Sequence, residues 1–376
     1  MASKLNDICS YAKGKTAVAG LTAQNYISTE NMLPNKGGIT TATNLPSVDQ
    51  TQAYRKNDVL VSNIRPYFKK IWHAEYDGGC SNDVLVFRAA EGVDPIFLYY
   101  VLADDTFFNY ATATSKGTKM PRGDKSAIME YGVPTLDIEV QRKIGALLRS
   151  IDQKIAINSK INDNLQQQAA AIYKSWFVDF SSAAACEMID SEIGKIPCGW
   201  RVYRLSEFLP VITGKKNANV SSDKGNYPFF SCSQDFAWTD DYSFEGHAIL
   251  VAGNGDFNVK WYKGKFEAYQ RTYVLIPHEE RYTSWLYYAV KYNLAKITSA
   301  ARGSVIKFIT KGNLEDFAFA APADLSSCEI IDTFSVINRK IDCLTQENYR
   351  LAAIRDSLLP KLMRGEIDVS DIDLSR

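Results

Sequence analysis

Histidine is scarce in this chain of 376 residues: only His73, His247 and His278 occur, and none stands at the spacing of a metal-ligating pair. A metalloenzyme is therefore not expected, and no residue is assigned as a metal ligand. Seven cysteines are scattered without a single C-x-x-C. That pattern fits reduced thiols and speaks against a zinc knuckle or a disulfide frame. Apolar runs are short. The segment FLYYVLA from Phe97 to Ala103 is among the longest, and a membrane span needs ~18 to 20 residues. The opening MASKLNDICSYAKGK has no apolar stretch of the signal-peptide kind. These features predict a cytoplasmic protein without a membrane partner. Net charge is missing as well, with 43 basic against 43 acidic residues, whereas nucleic-acid binders usually lean basic.

Hydrophobic residues make up 46% and aromatics 12%, which places the chain among folded proteins with enough length for two domains. The charge is unevenly distributed. From Arg281 to Asn313 six basic residues follow one another with no acid between them, and shorter acid-free stretches run over 59–74 and 106–123. Such runs are ordinarily solvated faces unless a second feature singles them out.

That second feature is an internal repeat. SIDQKIAINSKINDNL from Ser150 and VINRKIDCLTQENYRL from Val336 come into register at an offset of 186 positions. In the first copy, positions spaced alternately four and three apart include Ile144, Leu148, Ile151, Ile155, Asn162, Leu165, Ile172 and Trp176. In the second they include Ile330, Phe334, Ile337, Ile341, Asn348 and Leu351. This is a heptad stripe, which asks for a partner helix along its length. A helix of nearly ~40 residues would be roughly 60 Å long, more than one small domain can cover, so the two are expected to pair as a coiled coil. Asn162 and Asn348 occupy matching seam positions and are expected to fix register. Pro360 should kink or end the second helix.

The repeat extends upstream, its offset drifting from 186 to 200 as loops vary in length. SKGTKMPRGDKSAIMEYGVP (Ser115–Pro134) aligns with ARGSVIKFITKGNLEDFAFA (Ala301–Ala320), FLYYVL at Phe97 with WLYYAV at Trp285, and DVLVSN at Asp58 with AILVAG at Ala248. Near the start of each copy, Leu5, Asp7, Gly14 and Lys15 correspond to Leu205, Glu207, Gly214 and Lys215. Strand signals recur in DVLVSNIRPYF, NDVLVFRAA, HAILVAGNG and QRTYVLIP. The expected fold is mixed α/β (α+β): two similar globular domains alternating with two long helices. In sequence order the parts are a first domain over 1–138, a helix over 139–180, a connector over 181–197, a second domain over 198–324, and a helix with tail over 325–376.

Two like domains separated by a rod would suit a target with two separated half-sites, and duplex DNA, whose turn repeats every ~34 Å, is the obvious one. The chain resembles the DNA-specificity subunits of Type I restriction-modification enzymes. The match is carried by IPCGWRVYRLSEFLPVITGK, SKGTKMPR, ARGSVIKFI, QRKIGALLRSIDQKI and LLPKLMRGEIDV. The resemblance implies two target recognition domains and an antiparallel pairing of the helices. It implies double-stranded DNA with a bipartite, asymmetric target as ligand, and two modification subunits docked on the helices. Restriction subunits would complete the assembly. S-adenosylmethionine, ATP and Mg would be bound by those partners and no cofactor by this chain.

A catalytic role for the chain itself finds little support. NYPF (Asn226–Phe229) is similar to the N-x-P-[FY] loop of adenine-N6 methyltransferases, which would make the alternative an autonomous methyltransferase. No Gly-rich loop precedes it, no G-x-x-x-x-G-K-[ST] occurs, and a strand-entry role is favoured. A third possibility is a structural protein gripping other proteins. No catalytic residue is assigned.

The resemblance places DNA contacts on loops of each domain, and three zones in each copy carry suitable donors. In the first copy these are Lys13 and Lys15; Asn63, Arg65, Tyr67 and Lys69; and Lys116, Thr118, Lys119 and Arg122. In the second they are Lys215 and Lys216; Asn254, Asn258 and Lys260; and Arg302, Ser304 and Lys307.

Overall fold

The computed structural model describes residues 3–222, 224–299 and 307–372. It forms two compact units: Met1–Ile157 with Glu347–Arg376, and Asn158–Gln346. The division runs through both long helices. The partition in sequence order gives each helix a segment of its own, whereas here each unit takes part of both.

In the first unit, β1 (Cys9–Tyr11), β2 (Val59–Ser62), β3 (Ile71–His73) and β4 (Val84–Ala89) form an antiparallel sheet in the order β1-β4-β2-β3. Val59, Leu60 and Val61 are all buried, so this β-branched run is covered on both faces instead of alternating. A second sheet joins Lys15–Ala17, Gln50–Tyr54, Gly78–Cys80 and Tyr26–Ile27. Helix α1 (Pro95–Ala103) starts where the Asp94 carboxylate accepts the Phe97 amide at 2.8 Å, with Pro95 at its first position. Its Phe97, Tyr100 and Val101 enter one core with Val59 and Phe87, to which the long helix α2 (Ile138–Phe177) adds Ile144 and Leu148.

The second unit repeats the plan with a larger sheet. Strands β5 (Val211–Thr213), β6 (Tyr227–Phe230), β7 (Ala237–Thr239), β8 (Phe244–Ala252), β9 (Val259–Ala268) and β10 (Thr272–Leu275) run in the order β5-β10-β8-β9-β6-β7. Helix α3 (Thr283–Tyr292) and the second long helix α4 (Ile330–Met363) cover it. The core gathers Ile249, Val251, Leu275 and Trp285 with Tyr173 and Phe177 of α2 and Phe334 of α4. Trp285 is fully buried with its ring centroid 5.5 Å from that of Phe177. Burial of a side chain that size contributes about 3 kcal/mol.

The repeat is written in hydrogen bonds. Leu5 donates its amide to the Tyr131 carbonyl at 2.8 Å and Leu205 to that of Phe317 at 3.0 Å. The amide of Lys4 reaches the Asp7 carboxylate at 2.7 Å, and that of Arg204 reaches Glu207 at 2.7 Å. The connector is more ordered than its small residues imply, because Met188–Ser191 and Gly194–Pro197 form an antiparallel hairpin.

Both units contain facing, antiparallel stretches of the long helices. In the first, Arg355 lies 2.7 Å from Asp152, and Asn348 donates to the Ile155 carbonyl at 3.4 Å. In the second, Asn162 donates to the Thr345 hydroxyl at 3.1 Å. Ile144, Leu148, Asn162, Phe334, Ile337 and Ile341 are buried; Ile151, Ile155, Leu165, Ile330, Asn348 and Leu351 are half-buried. Beyond Ala169 the stripe departs from the expected spacing. Tyr173 and Phe177 are buried, while Ile172 and Trp176 are partly exposed. A straight helix drifts from a 3.5-residue repeat, and here its last turns follow the globular core. Helix α4 continues past Pro360 to Met363, and Gly365 follows with φ +68°. The tetrapeptide Asn226–Phe229 is no loop: Tyr227–Phe230 is strand β6, with Phe229 and Phe230 in the core.

Candidate nucleic-acid interface

The second and third predicted zones are brought together by backbone hydrogen bonds, in the same manner in both units. In the first unit the chain leaving β2 is clamped between two other segments. Asn63 donates its amide to the Asp83 carbonyl at 2.8 Å, Gly123 donates to Asn63 at 3.2 Å, and Arg65 donates to Pro121 at 2.8 Å. In the second unit Gly253 donates to Arg271 at 2.8 Å, Ile309 to Gly253 at 2.9 Å, and Gly255 to Lys307 at 3.1 Å. The bridge Ile64–Arg122 corresponds to Asn254–Phe308.

Each unit thus builds its rim from a loop after the central strand, a turn before the next strand, and a loop late in the domain. The first zone joins them in the second unit: Gly214 donates to Thr272 at 2.8 Å, and Gln270 donates to the Lys216 carbonyl at 2.9 Å. A cleft of about 660 Å³ opens there, lined by Gly214, Lys215, Gln270, Arg271 and Lys311 among others. In the first unit Lys13 and Lys15 are exposed beside the second sheet, where Lys15 pairs with Gln52.

Several of the predicted donors hold carboxylates. Arg122 pairs with Asp83 at 3.1 Å, Lys116 with Asp124 at 2.5 Å, and Lys69 with Asp105 at 2.9 Å. Exposed pairs of this kind are worth ~0 to 1 kcal/mol, so a phosphate can displace them cheaply. Arg65 and Lys69 adopt left-handed backbone conformations with φ 50° and 51°, an arrangement that costs non-glycine residues energy and marks a constrained loop. Between them Tyr67 is exposed and leans on Phe68 at 4.8 Å. Thr118 and Lys119 are exposed, as are Lys215 and Lys307; Lys216 and Asn254 are half-buried.

Asn258 and Lys260 are placed otherwise than expected. Asn258 is buried; its amide donates to the Cys232 and Asp256 carbonyls at 2.8 and 2.9 Å and accepts from Lys260 at 2.6 Å. Lys260 also donates to Ser231, and burial lowers its pKa. These two brace the entry to β9, with both amide hydrogens of Asn258 and two of the three ammonium donors of Lys260 already engaged. Asn63 is buried too, and among the described residues its side-chain oxygen has no partner. Arg302 and Ser304 lie outside the described residues.

The family of the Type I restriction modification DNA specificity domain matches residues 1–167 and 197–353. The chain belongs to that family. Its two matched segments are the two copies of the repeat. The Type I restriction enzyme EcoDI specificity subunit of Escherichia coli is 36% identical over 178 residues, 46% of this chain and 40% of that relative. The HindI specificity subunit of Haemophilus influenzae is 24% identical over 446 residues, 91% of this chain and 94% of that one. The chain therefore spans less than half of the first relative and nearly all of the second. The crystal structure of a Type-I restriction-modification system S subunit from M. genitalium shares the fold, with TM-score 0.59 at 16% identity and 96% of each chain covered.

For a member of this family, two rim segments escaped the sequence: Ser81–Asp83 and Tyr269–Arg271. Asn82, Asp83, Gln270 and Arg271 head NDVLVFRAA and QRTYVLIP, which read as continuous β signals. The strands begin only at Val84 and Thr272. Asn-Asp was a readable turn signal in the first case; Gln-Arg gave none in the second. Among the described residues no His, Cys, Asp and Glu cluster is arranged to hold a metal, and no helix is long and apolar enough to cross a membrane.

Proposed function

We propose that this chain is the DNA-specificity subunit of a Type I restriction-modification enzyme, and that it selects sequence without performing chemistry. Each unit reads one half of a bipartite target through its three-segment rim. The observation that carries this is the recurrence of that rim with unlike side chains. Where the first unit has Asp83 and Arg122, the second has Arg271 and Phe308. Equal scaffolds with unequal chemistry call for unequal half-sites. The long helices set the unread spacer and supply the surface for two modification subunits, which bring S-adenosylmethionine and methylate an adenine in each half. Restriction subunits, with ATP and Mg, complete the nuclease.

The test is co-expression with the cognate modification subunit, followed by mapping of methylated adenines. A bipartite asymmetric motif with a fixed gap is the expected result. Methylation without sequence preference, a single uninterrupted motif, or methylation by the chain alone would overturn the proposal.

A further inference from the structure

The turn between β9 and β10 is held by backbone hydrogen bonds to three other segments of the second unit. Tyr269 donates its amide to Phe230 at 2.9 Å, Gln270 to Lys216 at 2.9 Å, and Thr272 to Tyr269 at 2.7 Å, while the Arg271 carbonyl accepts from Gly253 at 2.8 Å. Two glycines let the neighbouring chains come this close. A Cβ on Gly214 would fall 2.2 Å from the Tyr269 carbonyl oxygen, and one on Gly253 would fall 2.4 Å from that of Arg271. The backbone is fixed from three sides, yet both side chains at the tip are exposed. Among the described residues neither the Gln270 amide nor the Arg271 guanidinium makes a hydrogen bond or an ion pair, whereas Asn258 and Lys260 nearby are hydrogen-bonded to each other and to backbone carbonyls.

We propose that Gln270 and Arg271 are base-reading residues of the half-site recognised by the second unit, Arg271 taking a guanine and Gln270 an adenine. This rests on the function proposed above. Arginine matches the O6/N7 edge of guanine with two parallel donors, and a glutamine amide matches the N6/N7 edge of adenine with one donor and one acceptor. A rigid backbone carrying unspent donors is the form such contacts take, because the entropy of ordering has been met by the fold. Lys215 and Lys311 on the walls of the same cleft supply phosphate contacts beside it. The equivalent turn of the first unit carries Asn82 and Asp83, with Asp83 held by Arg122, so that unit reads different bases.

The experiment compares the modification complex containing the wild-type chain with complexes containing Arg271→Lys, Arg271→Ala and Gln270→Ala. Methylated adenines are mapped and binding is measured across salt concentrations. Each variant should relax one position of one half-site, with a roughly 5- to 150-fold loss of discrimination there, and leave the other half-site and the gap unchanged. Arg271→Lys should relax that position too while keeping the wild-type salt slope. If Arg271→Ala weakens all sequences alike and shallows the slope by about one while Arg271→Lys restores binding, Arg271 holds a phosphate and the assignment falls. An unchanged motif in all three variants would also overturn it. A wild-type complex lacking any bipartite motif would defeat the proposed function itself, a result distinct from either.

Discussion

The guanidinium of Arg355 lies 2.7 Å from one oxygen of Asp152, whose other oxygen accepts the Tyr100 hydroxyl at 2.6 Å. The same corner of the second unit keeps the tyrosine and drops the charges. Tyr288 donates to Asn338 at 2.9 Å, and the position equivalent to Arg355 is Ala169, which is fully buried. Asn338 stands where the first corner has Asp152 and Ala169 where it has Arg355, so neither corner leaves a charge buried without its partner. Arg355→Ala alone should destabilise the first unit by about 2 kcal/mol, between the values for exposed and fully buried pairs. Asp152→Asn with Arg355→Ala, which copies the neutral corner, should cost less than the two single changes together. Denaturant midpoints of the four chains measure this coupling; strict additivity would mean that the pair is not energetically linked.

Gly214 has an ordinary backbone angle, so its requirement is space alone. Gly214→Ala would place a methyl 2.2 Å from the Tyr269 carbonyl oxygen, where backbone and not a flexible side-chain end must yield. A loss of about 1 to 3 kcal/mol is expected from such overpacking, together with weaker discrimination in one half-site because the displaced turn carries Gln270 and Arg271. Thermal unfolding and the methylated motif check the two effects separately. Gly14 occupies the matching position of the first unit with nothing within 4 Å of its Cβ direction, but with φ +118°. Strain, not collision, would be the penalty there.

The architecture is legible because the repeat, offset by 186 positions in the helices and by up to 200 near the start of each copy, retains the buried residues on which the fold depends: Leu5 and Leu205, and the tyrosine pair Tyr100 and Tyr288. The rim was legible as zones and not as residues. Periodicity tells which face a side chain takes, but whether its polar atoms are already spent depends on distant chain. Asn258 has the side chain of a base reader, but its amide is taken by the Cys232 carbonyl, 26 positions earlier. Gln270 and Arg271 were hidden for the opposite reason. Alternating neighbours made them look like the start of a strand, and only the hydrogen bonds of Gly253 and Gln270 reveal a turn. At the far end of α2 the expected seam ran through Ile172 and Trp176, whereas the surface offered by the second core selects Tyr173 and Phe177.

Two histidines, His73 buried and His247 half-buried, should make stability fall on the acid side. Burial, reinforced by Arg149 and opposed by Glu75, Asp94 and Asp58, lowers the pKa of His73; burial, opposed by Glu280, lowers that of His247. The unfolded chain then binds more protons than the folded one. Their contribution is complete above the unfolded value of ~6.5 and disappears as the pH drops through the lowered folded values. Denaturant midpoints should therefore decline from about pH 6.5 downward, and His73→Asn with His247→Asn should flatten that part of the curve. Carboxylates such as Asp332, held low by Arg281, act further down the scale. A curve that keeps its slope in the double variant would assign the effect elsewhere.

Lys307 and Asn258 stand in the same predicted set but should behave oppositely. Lys307 is exposed, with its carbonyl holding the Gly255 amide at 3.1 Å. Lys307→Ala should leave folding unchanged, weaken binding to every duplex, and reduce the salt slope by about one. Asn258→Ala removes three part-buried hydrogen bonds and strands the Cys232 carbonyl, so about 1 to 3 kcal/mol of stability should be lost. Its salt slope should stay that of the wild type. Parallel melting and salt-titration series separate the two; a shared phenotype would mean that Asn258 belongs to the contact surface after all.

The spacer prediction concerns the helices. Both α2 and α4 contribute to the two units, and on the function proposed above a change of helix length should act on the gap between half-sites and leave each rim intact. Four residues inserted beside Asn158 in α2 and four beside Leu344 in α4 keep the antiparallel faces matched; an insertion in one helix alone would leave a turn without its counterpart. At ~1.5 Å per residue the helices lengthen by about 6 Å, no more than about two base pairs of duplex at ~3.4 Å each. The methylated motif should retain both half-sites and gain at most that many unread positions. A changed half-site would place base contacts on the helices, and an unchanged gap would show that the helices do not set it.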